Sequence, residues 1–393
     1  MPAVDTTVVE CSGVGDGGIT RVLTEIVRHW PGPHRLRVVA APPGWSAPAT
    51  GPGVTVEVLS HQGGGRARTI AAATAGLRAA TGRADGTTRV LSLSPSLAVR
   101  GSRLPVTTVL HDLAFRLWPH GLSAPVRQYR RVSYATAIGR SARLLCVSAR
   151  TRHDLFGLYG VPADRTALWQ PGSSLDPPTG GLPAPLAAAD RPYLVVAGHA
   201  AHKGVEIAVE ALPELPGYLL AVLTGGQRFP HHTAAVARSA AADRVVLLDR
   251  LTDDGYAATL AGAAALLMPS HFEGYGLPAV EALRLGTPVV VSPDPALHEA
   301  TGGRAARMLT WTPQALVAAV AEATSRPVPT VVAGRTGPLA PAVAEPTGRP
   351  AAVVEPTGRP APVVGPVGRS WAEATAHLVE LLADAAPATP DGR

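Results

Sequence analysis

The sequence predicts an α/β fold built from two parallel-sheet domains. Three observations carry that expectation. Apolar runs of strand length alternate with helical stretches in both halves, the pattern of sheets covered on both faces. The 393 residues exceed what one core usually supports. A hydrophobic content of 46% supplies apolar material for two cores.

In the N-terminal half the runs at 7–9, 36–40, 54–58, 90–93, 106–110 and 144–147 read as strands. Between the first two lies a helical stretch over 19–30, with Val22, Ile26 and Val27 on one face. The C-terminal half repeats the theme at 194–196, 219–223, 245–248, 264–268 and 289–291. Expected boundaries are a first domain over 1–172, a linker over 173–190 and a second domain over 191–326. In 327–368, 10 of 42 residues are proline and 6 are glycine, and Glu345-Pro346-Thr347-Gly348-Arg349-Pro350 recurs ten residues later. Prolines deny that segment ladder hydrogen bonds, so low-complexity, extended chain is expected. A helix over 369–385 follows, with Ser370 as its cap and Glu373 at the capping-box position, then a disordered tail over 386–393.

The first glycine turn, Gly13-Val14-Gly15-Asp16-Gly17-Gly18, formally matches a dinucleotide-binding loop. That reading needs an acid about 20 residues on to hold a ribose, and the second strand runs into Ala40-Ala41-Pro42-Pro43 instead. NAD binding is therefore not expected.

Most informative is the stretch from Pro269 to Glu281, where Glu273-Gly274-Tyr275-Gly276-Leu277-Pro278 links a buried strand to a short helix carrying Glu281. Pro278 suits a first helical turn, because its missing N–H would have had no partner there. Gly274 and Gly276 let the backbone approach a ligand, and the free N–H groups of the helix start suit phosphate. The two acids can then reach different parts of one elongated ligand. The alternative is a pair of solvated acids on a loop and a helix face.

Of 35 basic side chains only Lys203 is a lysine. It closes Gly198-His199-Ala200-Ala201-His202-Lys203, a loop after a strand, where a compact ammonium serves as a point charge for phosphate. His199 and His202 read equally as ligand or packing residues. Another loop begins with His111-Asp112 after the strand ending at Leu110.

These segments resemble the E-x7-E group of retaining nucleotide-sugar glycosyltransferases with the GT-B fold, which includes bacterial mannosyl- and glucosyltransferases. The resemblance implies two facing Rossmann-like domains with a cleft between them, and a C-terminal helix that crosses back to the first domain. It implies that Glu273 holds donor-sugar hydroxyls, Glu281 the ribose, and the backbone of Gly274, Tyr275, Gly276 and Leu277 the diphosphate. Lys203 and His199 would face the same diphosphate, Gly17 and Gly18 would line the cleft, and His111 would stand beside the transferred sugar. His111, Lys203 and Glu273 are thus the expected catalytic residues. Ser148 and Arg150 match a turn that helps line the cleft, and Gly225-Gly226 with Arg250-Leu251 match loops that frame the nucleotide. Two features depart from the pattern: histidine at 199 replaces the usual Arg or Thr, and the Gly198–Lys203 spacing is one residue short.

The implied reaction moves a hexose-type sugar from a nucleotide-sugar donor to an acceptor hydroxyl with retention. No cofactor or metal is expected: the donor is a substrate, and Asp-x-Asp, the metal-holding motif of the other common glycosyltransferase fold, is absent from the sequence. A sugar-nucleotide-binding protein without turnover and a GT-B epimerase are the alternatives. The acceptor can be a small molecule, a glycan or a lipid-linked sugar; few aromatics (4 Phe, 7 Tyr, 6 Trp) disfavour a long glycan.

The net charge of +6 permits contact with an anionic membrane face but is no nucleic-acid footprint. No apolar run reaches the roughly 18 residues of a membrane span, and no leader is evident at the N-terminus. Two cysteines, Cys11 and Cys146, imply no disulfide framework. A cytoplasmic protein, with access to the inner face of the membrane, is the expectation.

Overall fold

The computed structural model describes residues 5–15, 17–82, 87–173, 175–198, 200–325 and 368–384. His199, most of the proline-rich 327–368 segment with its repeats, and the 386–393 tail lie outside them.

Among the described residues the strands form two all-parallel sheets. The first contains β1 (Thr6–Glu10), β2 (His34–Val39), β3 (Val54–Val58), β4 (Thr88–Ser92), β5 (Val106–Leu110), β6 (Ser141–Cys146) and β7 (Thr166–Leu168), in the order β3-β2-β1-β4-β5-β6-β7. The second contains β8 (Tyr193–Ala197), β9 (Leu219–Leu223), β10 (Val245–Leu248), β11 (Ala265–Met268), β12 (Val289–Val291) and β13 (Ala306–Arg307), in the order β10-β9-β8-β11-β12-β13. All eleven runs singled out above are strands. β7 and β13 escape the sequence reading because three and two residues are too short to stand out from loop.

In each sheet the strand order reverses direction once, between β1 and β4 and between β8 and β11. Chains leaving adjacent strands to opposite faces open a crevice there, at the carboxyl ends. The central strands are buried on both faces: β5, β8 and β11 have no exposed residue, as continuous apolar runs in parallel sheets require.

The Trp371–Ala383 helix returns to the first domain. Its N-terminus carries the expected capping box between Ser370 and Glu373. Trp371, Leu378 and Leu382 share one core cluster with Val9, Leu23 and Trp169. Trp169 Nε1 donates to Ala374 O at 2.9 Å, and Arg143 to Leu381 O at 3.1 Å. Gly172 has no room for a side chain there, since a Cβ would lie 2.5 Å from Trp371 Cα. The same cluster takes in Tyr275, Val280 and Ala300 of the second domain, so the two halves share a core. Cys11 and Cys146 are both free and buried. Among the described residues no helix is long and apolar enough to cross a membrane.

Candidate functional site

The second sheet's reversal point places the two most informative loops side by side, one after β8 and one after β11. Gly204, in a left-handed conformation at φ 66°, lies so close to Pro269 that a Cβ would meet its carbonyl oxygen at 2.3 Å. The His271 N–H donates to His202 O at 2.8 Å. This apposition puts Lys203 Nζ 2.7 Å from Glu273 Oε1. Both side chains are buried, each 7% exposed, so each charge depends on the other. Burial raises the Glu273 pKa, but the Lys203 ammonium and His202 outweigh it and hold the carboxyl below its ordinary value.

Asp294 braces this arrangement. It caps the Pro295–Thr301 helix through Ala296 N–H, accepts the Glu273 N–H at 3.1 Å, and pairs with Arg150 of the first domain at 2.9 Å. The Leu277–Arg284 helix starts at Gly276, whose φ of 109° only glycine adopts readily. The Tyr275 and Leu277 side chains turn into the shared core, leaving their backbone to the site.

Glu281 is engaged across the domain boundary. Arg21, from the Gly18–Arg28 helix of the first domain, reaches it at 2.9 Å, and the Tyr256 hydroxyl donates to its other oxygen at 2.8 Å. Tyr256 carried no motif in the sequence, and Arg21 stood out only as the end of the Gly17-Gly18-Ile19-Thr20-Arg21 turn. Gly17 and Gly18 open the Arg21 helix, and a Cβ on either would meet nothing within 4 Å, so this turn borders open space.

His111 lies at the end of β5, with its Nε2 2.8 Å from Leu93 O. A carbonyl only accepts, so Nε2 carries the proton and Nδ1 keeps its lone pair. Burial lowers the His111 pKa against the pull of Leu93 O and Asp112, which keeps the ring neutral. Its own carbonyl abuts Gly274, and the Ser148 hydroxyl donates to Gly274 O at 2.7 Å. Further domain contacts run from Ala149 N–H to Glu299 at 2.8 Å and from Gln170 to Glu299 at 3.1 Å. Loops after β5 and β6 therefore close directly onto loops after β11 and β12.

Beside Lys203 lies an interdomain cavity of about 560 Å³, walled by Trp118, His120 and Leu122 from one side and Ala201, Phe229 and His231 from the other. Trp118 stacks on His271 at 5.7 Å between ring centres and meets His202 edge-on at 6.0 Å. The structure thus brings His111, His202, Lys203, Glu273, Gly274 and Glu281 to one interdomain region and adds Arg21, Trp118, Tyr256 and Asp294 as their partners.

His202 is pushed down to about 4, by burial first and then by the Lys203 ammonium, against Glu273 and Asp112. Its ordinary value is 6.5, so below that pH the unfolded chain binds the proton that the folded one refuses. This contribution to stability is complete above 6.5 and is lost as pH falls toward 4. The urea midpoint should therefore drop between about pH 7.5 and 5, and less so in His202→Gln. Equal slopes in the two proteins would show that His202 does not control this loss.

The chain matches two family models, one in each half: "Glycosyltransferase Family 4" over residues 16–176 and "Glycosyl transferases group 1" over 191–326. It is 30% identical over 217 residues to a D-inositol 3-phosphate glycosyltransferase of Xylanimonas cellulosilytica, covering 50% of this chain and 52% of that one. A 77-residue stretch is 43% identical to an MMP alpha-(1->4)-mannosyltransferase of Mycolicibacterium hassiacum, covering 19% of each. The matched stretches thus span about half of the first relative and a fifth of the second. Among solved structures, the fold is similar to HepE of Anabaena, determined with UDP and glucose, at a TM-score of 0.60 and 17% identity over 82% of this chain and 90% of that one. It is also similar to sucrose-phosphate synthase of Thermosynechococcus elongatus, at a TM-score of 0.58 and 16% identity over 81% and 89%. The architecture is that of the GT-B fold.

Proposed function

We propose that this GT-B chain, with a glycosyltransferase match in each half, is an enzyme that moves a hexose-type sugar from a nucleotide-sugar donor to an acceptor hydroxyl with retention of configuration. One observation carries the reading: a buried Lys203–Glu273 pair stands at the reversal point of the second sheet, beside the amides that open the Leu277–Arg284 helix.

Breaking the bond between sugar C1 and phosphate leaves negative charge on the departing diphosphate. Donors already aimed at that charge lower the barrier most. Lys203 has three N–H groups, and its pairing with Glu273 leaves others for phosphate oxygens. The Gly274–Leu277 backbone and the glycine turn at Gly17 and Gly18 supply further N–H groups. Glu273, held ionised, is suited to accept hydrogen bonds from donor-sugar hydroxyls. The neutral His111 can accept one more through Nδ1. Glu281, oriented by Arg21 and Tyr256, is assigned to the ribose.

For retention, the acceptor oxygen enters on the face that the phosphate leaves. The bond from acceptor oxygen to C1 forms as the C1–phosphate bond breaks, and the hydroxyl proton passes to the departing phosphate oxygen. No resident cofactor is assigned, because Lys203 and the amides offer the positive charge that the diphosphate requires. The relatives' names, one for D-inositol 3-phosphate and one for mannose, support hexosyl transfer to a small hydroxylated acceptor. The interdomain cavity has a size that fits one. We place the reaction in the cytoplasm, where sugar nucleotides are available.

A panel of UDP-, GDP- and ADP-hexoses, scored for thermal stabilisation and slow donor hydrolysis, tests the reading. One donor class should raise the melting temperature in a concentration-dependent way, by mass action, and release free sugar. A panel without stabilisation and without hydrolysis would overturn it.

A further inference from the structure

We propose that Glu206, His231 and His232 form a binding site for a divalent transition-metal ion, with zinc the first choice, at the edge of the interdomain cavity. The inference is independent of the transfer reaction.

One ligand atom from each of the three residues lies within 4.8 Å of the others. Zinc held tetrahedrally at about 2.0–2.1 Å needs ligand atoms about 3.3 Å apart, so modest side-chain rotations would complete the set. Two of the atoms are buried and lack hydrogen-bond partners: His232 Nε2 and Glu206 Oε2. They face each other across 3.8 Å, too far for a hydrogen bond and close to the span a shared ion would bridge.

Two of the three ligands are held from behind by hydrogen bonds, as metal ligands commonly are. Glu206 Oε1 accepts from His271 Nε2 at 2.7 Å, and His271 is itself stacked on Trp118. His231 Nε2 lies 3.2 Å from Ala201 O, which only accepts. That bond places the proton on Nε2 and leaves the lone pair on His231 Nδ1. Phe229 packs on both histidine rings, at 5.9 and 5.3 Å.

Two imidazoles and one carboxylate leave a fourth position for water. Glu206 and His231 both line the cavity, so that position adjoins it. The ion would also tie the start of the Pro230–Arg238 helix to the start of the Val205–Ala211 helix, directly after Lys203.

The test uses the untagged, metal-stripped full-length protein in equilibrium dialysis against zinc and in a cobalt(II) titration. The expected result is saturation near about one ion per chain, with the intense visible absorbance of four-coordinate cobalt. His231→Ala removes an exposed side chain and should fold normally while binding at least about tenfold more weakly. Glu206→Gln should do the same. Binding that is unchanged in both variants, or a cobalt spectrum of the weak six-coordinate type, would overturn the proposal.

Discussion

Replacing Lys203 by methionine is expected to lower turnover by about 100-fold or more, the scale seen when one preorganised donor to a developing oxyanion is removed. That corresponds to about 2.7 kcal/mol of transition-state stabilisation. Methionine keeps the stem's apolar volume, so the loss reports the ammonium. It also strands Glu273, which is buried and whose paired oxygen loses its 2.7 Å partner. Breaking one side of a buried ion pair costs about 3–5 kcal/mol of stability, less whatever Glu273 recovers by taking up a proton. Low activity could therefore follow from a damaged fold alone. The double variant Lys203→Met with Glu273→Gln separates the two effects. It removes both charges together and should regain most of the stability in a urea titration, while turnover stays at the level of the single variant or below. A double variant with normal turnover would take the ammonium out of the chemistry.

Gly274→Ala should be as damaging by a different route. A Cβ at this position would lie 1.9 Å from His111 O and 2.9 Å from the carbonyl carbon, below any separation that real Cβ atoms show. Both obstacles are backbone, so no side chain can rotate away, and one domain must move off the other. The displacement would stretch the Ser148–Gly274 hydrogen bond and the Arg150–Asp294 pair, and would carry Glu273 away from His111. Misplacement by about 1 Å at a reacting centre can cost about 100-fold. Turnover should fall by at least that factor, with an increased radius of gyration in small-angle scattering. Full activity at saturating donor would mean that this closed contact is not the reacting geometry.

Much of this site is legible in sequence because its chemistry demands particular residues at particular spacings. Glu273, the flanking glycines, Pro278 and Glu281 lie within one strand–loop–helix unit, so local rules expose them. Lys203 stands out because it is the single lysine. The closing helix announces itself through Ser370 and Glu373. Tyr256, Trp118 and Asp294 give no such signal, and Arg21 shows only as the last residue of the Gly17-Gly18-Ile19-Thr20-Arg21 turn. Their roles depend on partners 21 to 260 positions away, and no spacing rule spans those gaps. His202 reads as an ordinary loop histidine until burial beside Lys203 sets its proton affinity.

By itself, then, the sequence determined the alternation of strands and helices, the glycine-rich loops and the acids they carry. Those follow from short-range sterics and hydrogen bonding, which act within a few residues. Only the tertiary structure decided that Lys203 pairs with Glu273, that Arg21 crosses to Glu281, and that His111 abuts Gly274. The physical reason is that a buried charge is tolerable only beside its partner, and where that partner stands is set by packing between elements far apart in the chain.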